Sequence, residues 1–173
     1  MAYLDECGFS PSQPVNDRWT LPGERKQVPY ENPRGRRVNA IGVYLPFGEA
    51  PALWWDRVPR TLTAEDVLII IEAIPRGPGA LVVVLDNASI HISHVIRDAL
   101  PRRRRRGIHL YYLPPYSPEL NRIEPILGVV KHRELPERSY PTVPALTEAI
   151  DRAFARCEQR MLGKTQHELR PAA

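Results

Sequence analysis

The feature that most constrains the fold is the run Ala-Leu-Val-Val-Val-Leu at residues 80–85, followed at once by Asp86. Six consecutive apolar, β-branched-rich residues match a strand covered on both faces. Such strands lie at the centre of parallel or mixed sheets, where helices cover them. Asp86 then stands at the carboxyl end of a central strand. In open α/β sheets this is where ligands gather. A charge at the tip of a buried strand is costly unless it is paired or metal-bound. The bland alternative is that Asp86 or Asn87 caps the next helix.

The rest of the chain supplies a sheet around this strand. Tyr3–Gly8 reads as a brief strand. Residues 10–35 are rich in Pro, Asn and Gly and read as mostly loop with at most one short strand. Arg37–Leu45 alternates and is β-branched, so it is a strand, and Ala52–Val58 pairs back on it as a hairpin. Thr63 is an N-cap with Glu65 and Asp66 in the first turn, ahead of Val67, Leu68, Ile70, Ile71 and Ile74 at helical spacing. After the central strand, His91–Arg105 reads as a helix interrupted by Pro101. Ile108–Leu113 is a strand, Pro114–Pro118 a rigid turn, and Glu119–Glu134 a helix. In a last helix, Pro144–Leu162, Leu146, Ile150, Phe154 and Cys157 share one face. An antiparallel start followed by βαβ units predicts a mixed α/β sheet flanked by helices.

The 173 residues fit one domain, expected over 1–165 with a frayed tail at 166–173. Cys7 and Cys157 form neither a disulfide framework nor a zinc spacing, which points to a reducing, cytoplasmic setting. No secretory leader is visible. No apolar run approaches the ~18 residues that span a bilayer, so no membrane partner is expected. The net charge of +4 permits a polyanionic partner. Two arginine clusters sharpen this: Arg34, Arg36 and Arg37, and the run Arg102–Arg106.

Two further acidic segments accompany Asp86. Asp5 and Glu6 are neighbours in the first strand. Successive strand side chains point to opposite faces, so only one of them can serve a given site, and spacing does not say which. Glu119 and Glu124 follow the last strand. On a continuous helix five positions rotate by about 500°, so these side chains diverge by ~140°. Glu119 in a first turn offsets the helix dipole, whereas Glu124 lies deeper.

Leu-Asp-Asn-Ala-Ser-Ile-His (85–91) followed by Leu-Pro-Pro-Tyr-Ser-Pro-Glu-Leu-Asn-Arg-Ile-Glu-Pro (113–125) resembles the catalytic core of the mariner-like transposases and of their bacterial insertion-sequence relatives. Asp5-Glu6, with Trp19 and Pro22-Gly23 beyond, resembles that family's first acidic segment. The likeness covers about Tyr3 to Leu135. It implies a ribonuclease-H-like fold, a mixed five-stranded sheet flanked by helices. It places the family's three acids on Asp5, Asp86 and Glu124, and leaves Glu119 outside the metal ligands. The 37 residues between Asp86 and Glu124 imply extra length near the arginine run, expected as a loop.

The implied chemistry is DNA strand cleavage and strand transfer with Mg²⁺ or Mn²⁺, hard cations that prefer carboxylate oxygen. Two ions are expected, with Asp5 and Asp86 shared between them and Glu124 serving the second. Implied partners are DNA, as transposon ends and target, a second copy of the chain, and an N-terminal helix-turn-helix region on a partner chain or fused frame, for which no room precedes Asp5. A bacterial cytoplasm, at the nucleoid when DNA is bound, is the implied location.

Arg34, Arg36, Arg37, Arg102, Arg103, Arg104 and Lys131 are candidates for phosphate contact. His91 is expected to shape the loop by hydrogen bonding, and Trp19, Trp54 and Trp55 to pack in the core. Two other classes remain: a different ribonuclease-H-like nuclease, such as a resolvase or an RNA-strand nuclease, and an inactive transposase-derived remnant serving as an interaction protein.

Overall fold

The structure, a computed structural model, describes residues 1–12, 21–24, 27–136 and 138–168. Five strands form one sheet: β1 (Ala2–Phe9), β2 (Val38–Leu45), β3 (Ala52–Val58), β4 (Leu81–Leu85) and β5 (Ile108–Tyr112). Their spatial order is β3-β2-β1-β4-β5. β1, β2 and β3 form an antiparallel meander. β4 lies parallel to β1, with Ala2 opposite Val83, and β5 lies parallel to β4. The sheet is mixed and five-stranded, as expected. The apolar run forms β4, next to the central β1.

Helices α1 (Ala64–Ala73) and α2 (His94–Arg105) cover one face, and α3 (Glu124–Val129) and α4 (Val143–Glu168) the other. Strand alternation sorts the core between these layers. Leu4, Ile41, Val43, Val83 and Leu85 pack with Val67, Ile71 and Ile96. Phe9, Val38, Ala40 and Leu53 pack with Ile123, Leu127, Leu146, Ile150 and Phe154. Trp55 stacks on Phe154, with ring centroids 5.2 Å apart, and so joins the core as expected. Trp54 is 45% exposed and does not. Trp19 lies outside the described residues.

Thr63 caps α1, and Asp66 closes the reciprocal capping box. Three helical expectations change. Pro101 does not interrupt α2: the helix runs through it to Arg105, forgoing only the bond a proline N–H cannot give. The arginine run therefore forms the last turn of α2 rather than a loop. Glu119–Glu134 is not one helix. A 3-10 turn at Pro118–Leu120 ends before α3 begins at Glu124, and a π-helical turn at Val130–Glu134 extends α3. The extended Asn121 backbone breaks the run, so the ~140° argument for Glu119 and Glu124 does not apply. Third, α4 continues to Glu168, so residues 166–168 of the expected tail are helical. Among the described residues no helix is long and apolar enough to cross a membrane.

Candidate active site

β1 resolves the Asp5–Glu6 ambiguity by using both residues. Asp5 pairs with Gly42 and shares the face of Tyr3 and Cys7, towards α3 and α4. Glu6 shares the face of Ala2 and Leu4, towards α1 and α2. Each carboxylate therefore meets a different layer.

On the Glu6 side the organising group is His91, which is fully buried. Its Nε2 lies 2.6 Å from Glu6 Oε1 and its Nδ1 2.7 Å from Asp86 Oδ1. Burial works against a charged imidazole, but the hydrogen bonds and charges of Glu6 and Asp86 prevail and raise its pKa above the ordinary value. Both ring nitrogens face carboxylate oxygens, which suits the imidazolium, a donor at both positions. Asp86 Oδ1 also accepts from the Ala88 N–H at 2.9 Å. The Tyr112 hydroxyl donates to the His91 carbonyl, and Asn87 Nδ2 to the Leu113 carbonyl. The turn after β4 is thus tied to the end of β5. Helix capping does not account for Asp86, because Ser93 caps α2. The expectation that His91 shapes this loop holds.

On the Asp5 side the third motif packs down through Gly42. A Cβ at that position would lie 3.0 Å from Ile123 Cδ1 and 3.3 Å from Leu127 Cδ2. The missing side chain lets the start of α3 close onto the sheet beside Asp5. Asn121 is buried, and its Nδ2 reaches Asp5 Oδ2 and the Leu4 carbonyl, both at 3.4 Å. Glu124 is the first residue of α3 and donates its N–H to the Asn121 carbonyl. Glu124 and Asp86 line one cavity of about 440 Å³, with Pro115, Tyr116 and Asn121 in its wall. Glu119 is exposed and outside that wall.

The Asp5 carboxyl is pushed up to about 7, first by burial and then by the charges of Glu6, Glu124 and Asp86, against the Glu6 N–H bond that lowers it. Among the described residues, the side-chain charges acting on it are carboxylates. Burial likewise pushes the Cys7 thiol up, with Lys131 opposing and Asp5 and Glu124 adding to the shift. Lys131 therefore belongs to this neighbourhood.

Among the described residues no three His, Cys, Asp or Glu side chains stand in a metal-holding arrangement. One oxygen of Asp86 is held by His91 and Ala88, and one of Asp5 by the Glu6 N–H. The donor set nevertheless fits a hard divalent cation in kind: it is all carboxylate oxygen, and burial, helped by repulsion among its members, holds a proton on Asp5 near neutral pH.

The arginines fall into two places. Arg34 and Arg37 line an open groove of about 880 Å³ that also touches Glu6 and Ala88–Ile90, so it adjoins the acidic site. Arg36 is tied to Glu31 and the carbonyls of Asn32 and Pro141. Arg102, Arg103 and Arg104 lie at the far end of the sheet, where the Gly107 carbonyl meets the start of β4. Arg103 is paired there with Glu72. The fold does not bring this run to the acids.

Glu6, Asn121 and Gly42 were not singled out from sequence as site residues. A glycine inside an alternating strand was the available signal for close approach at Gly42. Asn121 stood in the third motif without a role, and Glu6 beside Asp5 without a partner.

Solved structures similar in fold include the Mos1 transposase paired-end complex with left transposon end, at 18% identity and a TM-score of 0.65, covering 94% of this chain and 51% of that one. The Mos1 strand transfer complex gives 17% and 0.64, covering 97% and 50%. The Mos1 mariner paired-end complex with Mn gives 17% and 0.67, covering 94% and 51%. A paired-end complex with Mg is also similar. At these identities the likeness shows the fold, which is the ribonuclease-H-like one. The chain spans about half the length of these relatives. No curated protein matches the chain. The family model described as DDE superfamily endonuclease matches residues 1–147, and the chain belongs to that family.

Proposed function

We propose that this chain is the catalytic domain of a DNA transposase, in which Asp5, Asp86 and Glu124 hold Mg²⁺ or Mn²⁺ for DNA strand cleavage and strand transfer. The observation that carries this reading is Asp5. Its carboxyl is raised to about 7 by burial and by the Glu6, Glu124 and Asp86 charges, which come from β1, the end of β4 and the start of α3. A fold that brings acids together from three elements, with only carboxylate charges acting on Asp5 among the described residues, is arranged to receive a cation.

When bound, a pair of such ions polarises the phosphate and activates the attacking oxygen, water for cleavage and a DNA 3′-hydroxyl for transfer. Asp5 and Asp86 are assigned to both ions and Glu124 to the second. The chain's own residues do the positioning. His91 holds one oxygen of the half-exposed Asp86 side chain. Asn121 reaches both Asp5 and the Leu4 carbonyl. Arg34 and Arg37 neutralise strand phosphates in the adjoining groove, and Lys131 does so beside Cys7. Arg102 and Arg104 meet only DNA that reaches the opposite end of the sheet, while Arg36 and Arg103 act through their loop and helix contacts. Phosphate contacts carry no sequence information, so this chain binds DNA with little sequence choice. A sharp footprint on one sequence would contradict that.

The test is Asp86→Ala, assayed for nicking of duplex DNA in Mn²⁺. The variant binds DNA within about threefold of wild type and does not nick it. Full nicking by Asp86→Ala overturns the proposal.

A further inference from the structure

Tyr116 is the only non-glycine residue with positive φ among the described residues, at +57°. An L-residue with a bulky side chain enters the left-handed region at a cost, because its Cβ crowds the backbone carbonyl. Folds offset that cost by burying the ring or bonding the phenol. Neither occurs here. The tyrosine is 101% exposed. Among the described residues no hydrogen bond or ring contact engages its side chain.

The surroundings hold the ring out. Pro114 and Pro115 precede it and Pro118 follows, each with a fixed φ. The Ser117 hydroxyl donates to the Pro115 carbonyl, and the Leu120 N–H to the Ser117 carbonyl. This stiff loop forms one wall of the cavity whose other wall carries Asp86 and Glu124. Strain without burial, at the mouth of an acidic cavity, points to a ligand rather than to folding. A flat aromatic face with only two side-chain torsions to order suits a flat aromatic partner.

We propose that Tyr116 is a stacking platform for the nucleobase adjoining the phosphate that a cation on Asp86 and Glu124 would engage, and that it positions the strand there. This rests on the nuclease reading above. Stacking tolerates any base, which accords with a site that selects phosphate rather than sequence.

The test uses the 173-residue chain with a nicked DNA duplex carrying 2-aminopurine on either side of the nick. Affinity and fluorescence are measured in Ca²⁺, and cleavage in Mn²⁺. Tyr116→Gly removes the ring and accepts φ +57° without strain, so the loop keeps its course. Tyr116→Phe keeps the ring and removes the hydroxyl. Wild type and Tyr116→Phe quench the 2-aminopurine and bind alike. Tyr116→Gly loses the quenching and binds roughly 5- to 100-fold more weakly, while its melting temperature is equal or higher. Wild-type-like quenching and affinity in Tyr116→Gly, with wild type cleaving normally, overturns the role of Tyr116 alone. A wild-type chain that neither binds nor cleaves DNA overturns the nuclease reading and this proposal together.

Discussion

The imidazole Nε2 of His91 lies 2.6 Å from Glu6 Oε1, joining the turn after β4 to the face of β1 that Asp5 does not use. Through its other nitrogen the same ring holds Asp86. One fully buried side chain thus fixes the geometry between two strands that contribute acids. Ligand-supporting groups of this kind usually set how precisely a site is held.

Replacing His91 by Ala leaves Glu6 partly buried without its partner and frees the Asp86 carboxylate. The expected loss in urea unfolding is about 2–4 kcal/mol, within the range for breaking a buried charged hydrogen bond. A loss under ~0.5 kcal/mol would show that the bridge does not hold the fold.

Asp5→Asn stabilises the metal-free protein at pH 8. The folded pKa, about 7, lies above the ordinary 3.8, so the folded state holds the proton more tightly. Stability therefore falls as pH rises from about 4 to about 7 and is flat above. Removing the charge recovers on the order of 2–4 kcal/mol at pH 8, and nothing at pH 4. Thermal melts across that range check it. Millimolar Mg²⁺ should raise the melting temperature of wild type and not of Asp5→Asn.

The cap of α1 predicts a separate acid limb. The Arg60 guanidinium holds the Asp66 carboxyl well below the usual carboxylate range against burial, with the Thr63 N–H and hydroxyl adding to the effect. The sign is opposite to that of Asp5. This stabilisation is present above the unfolded value and is lost as pH falls below about 4 towards the depressed folded value. Thr63→Ala costs about 1 kcal/mol at pH 7. Asp66→Asn flattens the fall in stability between pH 4 and pH 2, as urea titrations would show.

Gly42→Ala pushes Ile123 and Leu127 away from the sheet. Loss of stability is expected at about 1–2 kcal/mol, the usual scale for overpacking. Nicking falls more steeply than DNA affinity, because Glu124 follows Ile123. Equal nicking rates would show that α3 does not need this close approach.

Much of this was legible in sequence because a local pattern and the tertiary need agreed. The run before Asp86 could be little other than a central strand, and Thr63 with Asp66 announced a capped helix. The break before Glu124 was hidden because Glu119–Glu134 has acceptable helical composition. The chain restarts after the extended Asn121, where Ile123 descends onto Gly42, a contact across the chain. Pro101 misled for the opposite reason: it lies inside α2 but on the exposed face, where one missing bond is tolerated. The choice between Asp5 and Glu6 could not be read from alternation alone. It depends on which layer brings His91 and which brings Asn121, and both lie far along the chain. The arginine run looked like a phosphate site in isolation, yet α2 carries it back to the start of β4.

The central claim is that Asp5, Asp86 and Glu124 form one cation site. Anomalous diffraction from a Mn²⁺-soaked crystal of this chain tests it most directly. The account predicts a manganese peak ligated by Asp5 and Asp86, with Glu124 facing it or a second peak. A crystal with no manganese at these residues, or with the ion on Glu119 instead, would contradict it.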